Sequence, residues 1–132
     1  MAVIPTGGRS KYGDHKDDPG VRVSTTDLRG KCVSNFQGTS AAAPVAAGAF
    51  ALVLESNPDL TYRDVMHLIA RTSKVPNTED KEGWIVNGAD YHVNDKYGFG
   101  VIDVAQMIQE AQGWENVPPR QKCTVYNTKE LP

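Results

Sequence analysis

The chain has 132 residues and a formal net charge of −2, which is enough length for one modest domain. Hydrophobic residues make up 39% and charged residues 23% of the total, a balance typical of a folded protein that excludes wholesale disorder. Lys and Arg are scattered rather than gathered into a stripe, which excludes the usual basic type of nucleic-acid-binding protein.

The first thirty residues predict a surface loop followed by a short strand. Polar residues, Gly and Pro dominate residues 6–20, as they do in loops. Residues 21–26 then alternate between apolar and polar side chains, which favours a strand.

A run of small residues from Ala41 to Gly48, continuing to Leu54, predicts the first helix. Such side chains allow close packing on all sides, so we expect this helix to be buried. The run is shorter than the roughly 20 apolar residues of a membrane span and contains Pro44, so a soluble core helix is the better interpretation. Pro58 should end it, because proline lacks an amide donor.

Two more helices are predicted further along the chain. Thr61 and Asp64 have the spacing of a capping box, and Asp103 has the position of an N-cap. The apolar faces of these helices are expected at Val65, Leu68 and Ile69, and at Val104, Met107, Ile108 and Ala111. Asn87-Gly88 between two short apolar runs indicates a hairpin-like turn.

The composition changes after Gly113, where Val117, Pro118 and Pro119 form a stiff connector ahead of a strand-like segment at 123–126. We therefore expect one domain over 1–113, and a linker with the start of a second domain over 114–132. The two cysteines, Cys32 and Cys123, have no metal-binding spacing and on their own indicate two free thiols.

Ser40 is the candidate nucleophile. Such a serine needs an exposed Oγ on a rigid turn, a base, and backbone amides directed at the developing oxyanion. Gly38 allows a tight turn and room for substrate, and a helix beginning at Ser40 would direct its positive end at the reacting carbonyl. On spacing alone, a plain helix N-cap remains an alternative role for Ser40.

Gly38-Thr39-Ser40-Ala41-Ala42-Ala43-Pro44 resembles the Gly-Thr-Ser-x-Ala-x-Pro signature of subtilases, in which a proline follows four residues after the active-site serine. Further segments resemble the proprotein convertase branch of that family, in order along residues 21–126. They are residues 24–32, 60–69, 97–104 and 118–123, the last resembling the passage into the convertase P domain.

The resemblance implies an α/β fold of the subtilisin type, with a central parallel sheet and helices, ending in the first strand of a P-type β-sandwich. It implies a serine endopeptidase that cleaves precursor proteins after paired basic residues in the secretory pathway. Ser40 would be catalytic, Gly38 and Thr39 would bind substrate, and the triad Asp and His would lie upstream of Ser40.

The same resemblance implies a calcium requirement and an inhibitory N-terminal propeptide, with the calcium sites upstream of these residues. No metal ligand or other cofactor-binding residue is expected within the chain itself. Cys32 would pair with a cysteine upstream of residue 1 and Cys123 with one beyond residue 132. A membrane anchor beyond Pro132 is left open.

The sequence departs from the convertase pattern just before the signature, where Phe36-Gln37 replaces the usual His-Thr. None of the histidines, His15, His67 and His92, matches the family's catalytic base. One alternative is therefore a catalytically inactive short product that acts as a binding or decoy module. An unrelated α/β hydrolase is disfavoured, because the chain has no Gly-x-Ser-x-Gly elbow.

Overall fold

The computed structural model describes residues 2–5, 22–36, 38–76 and 82–123. Within these ranges the chain forms three α-helices, α1 (Ala42–Ser56), α2 (Tyr62–Thr72) and α3 (Val104–Ala111). Four strands accompany them, β1 (Val23–Thr26), β2 (Cys32–Phe36), β3 (Ile85–Val86) and β4 (His92–Val93). Short 3-10 turns occupy Leu28–Gly30 and Thr39–Ala41. The positions predicted for the three helices and the first strand are confirmed.

The core forms where the three helices meet. Half-buried residues surround its fully buried members, which are Val53, Leu60, Leu68, Met107 and Ala111. Together with the half-buried residues, the core includes the faces predicted for α2 and α3 except Val104, and Met66 on α2 is exposed. The side-chain Nδ2 of Asn57, just after α1, donates to the Ala111 carbonyl at 2.8 Å and so joins the ends of α1 and α3.

The predicted capping box at the start of α2 is confirmed. The Thr61 hydroxyl accepts from the Asp64 amide at 3.3 Å, and the Asp64 carboxylate accepts from the Thr61 amide at 2.6 Å. Each side chain thereby satisfies an amide that would otherwise lack a partner at the helix start. Asp103 likewise caps α3, where its Oδ1 accepts from the Gln106 amide at 3.0 Å.

Residues 114–118, here called the exit strap, follow α3 without regular secondary structure and run back along the start of α2. Trp114 packs against the core, Asn116 donates to the Asp59 carbonyl at 2.8 Å, and Arg63 Nε donates to the Pro118 carbonyl at 3.1 Å. Contacts to the helical core therefore continue beyond Gly113, where the composition changes. Residues 124–126, part of the expected second-domain strand, lie outside the described residues.

The paired strands differ from the parallel sheet expected at the sequence level. β1 pairs antiparallel with β2, and β3 pairs antiparallel with β4. The connections explain this, because residues 27–31 and 87–91 are too short for the crossover of a dozen or more residues that parallel neighbours need. Parallel pairing within the described ranges is limited to one bridge between Val3 and Val101.

Helix α1 is less buried than its small residues suggest. Val53 is its only fully buried residue in the described structure, while Val45 and Leu52 are 45% and 52% exposed. The expectation of a helix covered on all sides is therefore wrong for this structure, because the described elements contact only part of its circumference. By length and composition alone, the stretch Thr39–Ser56, with mean hydropathy 1.3, could cross a membrane. A core helix of a soluble protein passes the same test.

Gly100 provides a prediction about the fold. It has a φ of +115°, and a Cβ built there would lie 2.2 Å from the Lys74 carbonyl oxygen, which accepts from the Val101 amide at 2.8 Å. We expect Gly100→Ala to lower the free energy of unfolding by about 3 kcal/mol, through backbone strain and overlap. Gly88→Ala is the control, because its Cβ would meet open space. Urea unfolding of both variants gives the comparison, and equal losses would refute the role of Gly100.

Cys32 and Cys123 are both exposed and unbonded in this structure. We expect each to pair with a cysteine outside this chain and never with the other. Peptide mapping of the oxidised parent protein by mass spectrometry provides the test. A peptide that joins Cys32 to Cys123 would contradict the expected pairing.

Candidate active site

Ser40 lies in the turn between β2 and α1. Gly38 has φ +127° and ψ 163°, and its carbonyl accepts from the Ala41 amide at 3.0 Å, which closes a tight turn. That backbone conformation is essentially restricted to glycine, because a Cβ there would crowd the two adjoining peptide groups. The glycine turn expected from the sequence is present, and it leaves the Ser40 residue exposed at the helix start.

The start of α1 provides a favourable electrostatic environment for an anion. The helix has 15 residues, and its first turn holds no acidic side chain. Aligned peptide dipoles give a helix N-terminus a partial positive charge. Pro44 occupies the first turn, where its missing amide hydrogen removes no intrahelical bond. Negative charge that develops beside Ser40 would therefore be stabilised.

Ser40 lines a groove of about 570 Å³ between the β1–β2 hairpin and the start of α1. Apolar side chains contribute much of the lining, and they are Val23, Val33, Phe36, Pro44 and Val45. Phe36 is 41% exposed, so its ring is available to a bound molecule. Thr39 lines a different groove, together with Phe50 and Phe99.

The sequence alone does not reveal most of the lining of this groove. Val23 lies in the predicted strand over 21–26, Val33 belongs to no predicted element, and nothing local indicates that the hairpin folds over Ser40. Phe36 departs from the family pattern, and that departure is the one signal that it lies near the nucleophile. Further lining residues come from β1 and its end, Thr25, Thr26 and Asp27, and from the start of α1.

The described residues do not bring a general base to Ser40. His67 on α2 and His92 on β4 are both exposed, and neither has a hydrogen bond to Ser40 in the described structure. His15 lies outside the described residues. Asp27 lines the groove, but its carboxylate accepts from the Leu28 amide at 2.8 Å and has no histidine partner there.

Two carboxylates away from Ser40 have perturbed titration. Burial raises the pKa of Asp64, but bonds from the Thr61 side chain, from the Val117 and Thr61 amides and from Trp114 outweigh it and hold the pKa far below its usual range. The bond from Lys74, followed by that from the Gln106 amide, lowers the pKa of Asp103. Both groups are therefore anionic at neutral pH and serve helix starts, not the chemistry of Ser40.

The subtilase family model matches residues 4–100, which include this turn, groove and helix start. The chain belongs to the subtilase family. Two observations make Ser40 the candidate nucleophile. They are the local geometry of its turn and the match of this segment to the subtilase family model. The N-cap role of Ser40 receives no support, since no cap bond from its side chain is present among the described residues.

The curated relatives place the chain in the convertase branch. It is 49% identical over 110 residues to a PC3-like endoprotease of Hydra vulgaris, 46% over 117 residues to neuroendocrine convertase 2 of Drosophila melanogaster, and 47% over 104 residues to furin of Bos taurus. These matches cover 83%, 86% and 79% of this chain, but only 15%, 18% and 13% of the relatives.

A solved structure of a serine protease of Aeromonas sobria, in complex with its chaperone, superposes on this chain with a TM-score of 0.59 and 30% sequence identity. The match covers 67% of this chain and 18% of the protease. The subtilisin-type fold expected from the sequence is therefore confirmed at the level of the family. The expected P-domain strand is not tested by these comparisons.

The Gly38 turn leads to a prediction about the site. A Cβ at Gly38 would meet open space, so Gly38→Ala should act through backbone conformation alone, at a cost of about 1–3 kcal/mol. Relief of that strain would rotate the turn and displace Ser40. Gly48→Ala within α1 is the control and should be neutral or slightly stabilising. Urea unfolding compares the variants, and a Gly38→Ala protein as stable as wild type would contradict the strained turn.

Proposed function

We propose that this chain is the nucleophile-bearing part of a proprotein-convertase-type serine endopeptidase that cleaves precursor proteins after paired basic residues. The observation that carries the proposal is the position of Ser40, on a glycine turn at the N-terminus of α1 and open to a groove. The family match and the convertase relatives support the same function.

In this mechanism Ser40 Oγ attacks the scissile carbonyl carbon while its proton passes to a histidine supplied from the upstream part of the domain. An upstream aspartate orients that histidine. The tetrahedral oxyanion forms beside the start of α1, where the amides and the helix dipole stabilise it. The histidine returns the proton to the leaving amine, and water then hydrolyses the acyl-enzyme.

The substrate would approach Ser40 through the groove under the β1–β2 hairpin. Gly38 has no side chain, so a substrate backbone can pass close to the turn. Thr39 belongs to the proposed binding residues as well, although it lines a different groove from Ser40. Phe36 would present an aromatic surface beside the nucleophile where most convertases have histidine.

Calcium, the propeptide and the secretory route belong to the proposal for the whole protein. In the described ranges, no group of three or more His, Cys, Asp or Glu side chains could hold a metal ion. These residues therefore do not fit a calcium site, and no catalytic step is assigned to calcium here. The division into a peptidase domain over 1–113 and a linker with the start of a P domain over 114–132 remains part of the proposal, with the exit strap as a linker that is bonded to α2 and to the Asp64 carboxylate.

The test joins this chain to the upstream part of a related convertase catalytic domain, with its propeptide, in a calcium buffer. We expect labelling of Ser40 by a fluorophosphonate probe and cleavage of dibasic peptides. Ser40→Ala should abolish labelling and lower turnover by about 10⁴-fold or more. Ser34→Ala, an exposed serine on β2, is the matched control and should retain both activities.

The 132-residue chain alone should be inactive, because its described residues supply no base to Ser40. Peptide cleavage by the chain alone, or activity retained in the joined Ser40→Ala protein, would refute the assignment of the nucleophile. A joined protein that folds, as judged by circular dichroism, but neither reacts with the probe nor cleaves peptides would favour the binding or decoy module.

A further inference from the structure

The carboxylate of Asp64 makes more hydrogen bonds than a helix cap requires. Its side chain is fully buried, and it accepts five hydrogen bonds from described residues. Two come from Thr61, from its amide at 2.6 Å and its hydroxyl at 2.5 Å. The bond from the Thr61 amide is half of the capping box and would be expected for any helix that starts in this way, and the hydroxyl bond is local to the same two residues.

The other three bonds come from the exit strap, about fifty residues later in the chain. Trp114 Nε1 and the Val117 amide donate to Oδ1 at 3.0 and 2.7 Å, and Asn116 Nδ2 donates to Oδ2 at 3.1 Å. Each carboxylate oxygen thus receives at least one strap donor. Bonds to an ionised acceptor are stronger than bonds between neutral groups, so these contacts contribute more than their number suggests.

The strap has little else to hold its path. Residues 114–123 form no helix or strand, so their backbone groups have no ladder of regular hydrogen bonds. The remaining described anchors are the Trp114 ring in the core, the Trp114 amide bond to the Ala111 carbonyl at 3.3 Å, the Asn116 bond to Asp59, and the Arg63 bond to Pro118. Beyond residue 114, both of these polar anchors join the strap to residues 59 and 63, which are close to Asp64 in sequence.

We propose that Asp64 is a latch that fixes the exit of the chain from the helical core, so that one buried carboxylate holds both the start of α2 and the path of residues 114–118. The latch sets the direction in which residue 119 and the chain beyond it leave the peptidase domain. All five described donors to the Asp64 carboxylate are uncharged groups. Among these donors, no cation competes with the strap for the carboxylate oxygens. The inference does not depend on the catalytic role of Ser40.

Hydrogen exchange of the Val117 amide in the full 132-residue chain tests the latch. In the wild type this amide should exchange at least about tenfold more slowly than in an unstructured peptide. Asp64→Ala should abolish that protection, because it removes both carboxylate oxygens that accept hydrogen bonds from the strap. Trypsin should then also cleave faster after Arg120.

Two control variants separate the latch from helix capping. Thr61→Ala removes cap bonds of α2, and Asp103→Asn alters the equivalent cap of α3, but neither removes a strap bond. Both variants should lower the free energy of unfolding. The ratio of the Val117 to the Leu68 amide exchange rate should nevertheless stay within about threefold of its wild-type value. The proposal would be overturned if either control released the strap as completely as Asp64→Ala does.

A further variant covers the case in which Asp64→Ala does not fold. Trp114→Phe combined with Asn116→Ala removes two strap donors and leaves α2 and its cap unchanged. We expect the Val117 amide to exchange at least about tenfold faster in this variant, while the Leu68 amide in the middle of α2 retains its protection. Unchanged Val117 exchange, or an unprotected Val117 amide in the wild type, would show that Asp64 does not hold the strap.

Discussion

The buried carboxylate of Asp64 is the interaction on which the arrangement of the described structure depends. An ionised group without water is costly unless its lone pairs are occupied, and here five donors occupy them. Because these donors come from the start of α2 and from the strap after α3, satisfying one charge brings two distant parts of the chain together. The Trp114 ring that donates to Asp64 also covers the apolar core, so polar and apolar contacts reinforce each other.

The helical core in turn holds the helix that carries the candidate nucleophile. Val53 near the end of α1 is buried among residues of α2 and α3, and Asn57 bonds to the last residue of α3. Ser40, which lies just before the opposite end of α1, is exposed. The packing of α1 fixes the position of this serine while its side chain stays accessible to substrate, as nucleophilic catalysis requires.

The described structure also shows what the peptidase function still needs. The groove beside Ser40 has apolar walls and a helix N-terminus, but no imidazole within the described residues is bonded to the serine. Much of α1 is uncovered, including Val45 and Leu52. These features fit a chain that spans less than a fifth of its convertase relatives, in which the remaining length would supply the other catalytic groups.

Local sequence was sufficient to predict the helices and their caps. Thr61, Asp64 and Asp103 act within three residues of their own positions, and the apolar stripes repeat with the helical period, so both are visible in a short window. The Ser40 turn was predictable for the same reason, because Gly38 and the alanine run are adjacent to it. The resemblance of residues 38–44 to the subtilase signature then indicated that this turn carries the active-site serine.

Contacts between distant residues were decided only by the tertiary structure. The three strap donors to Asp64 lie about fifty residues from it, and no periodicity connects them to α2. The hairpin over Ser40 pairs antiparallel because its connection is short, whereas the expected parallel sheet reflected the family fold as a whole. The amount of α1 that is buried likewise depended on which elements pack against it. Sequence by itself determined the local elements and the candidate serine, and tertiary packing decided the latch, the groove and the exposed faces, because those depend on which distant residues meet.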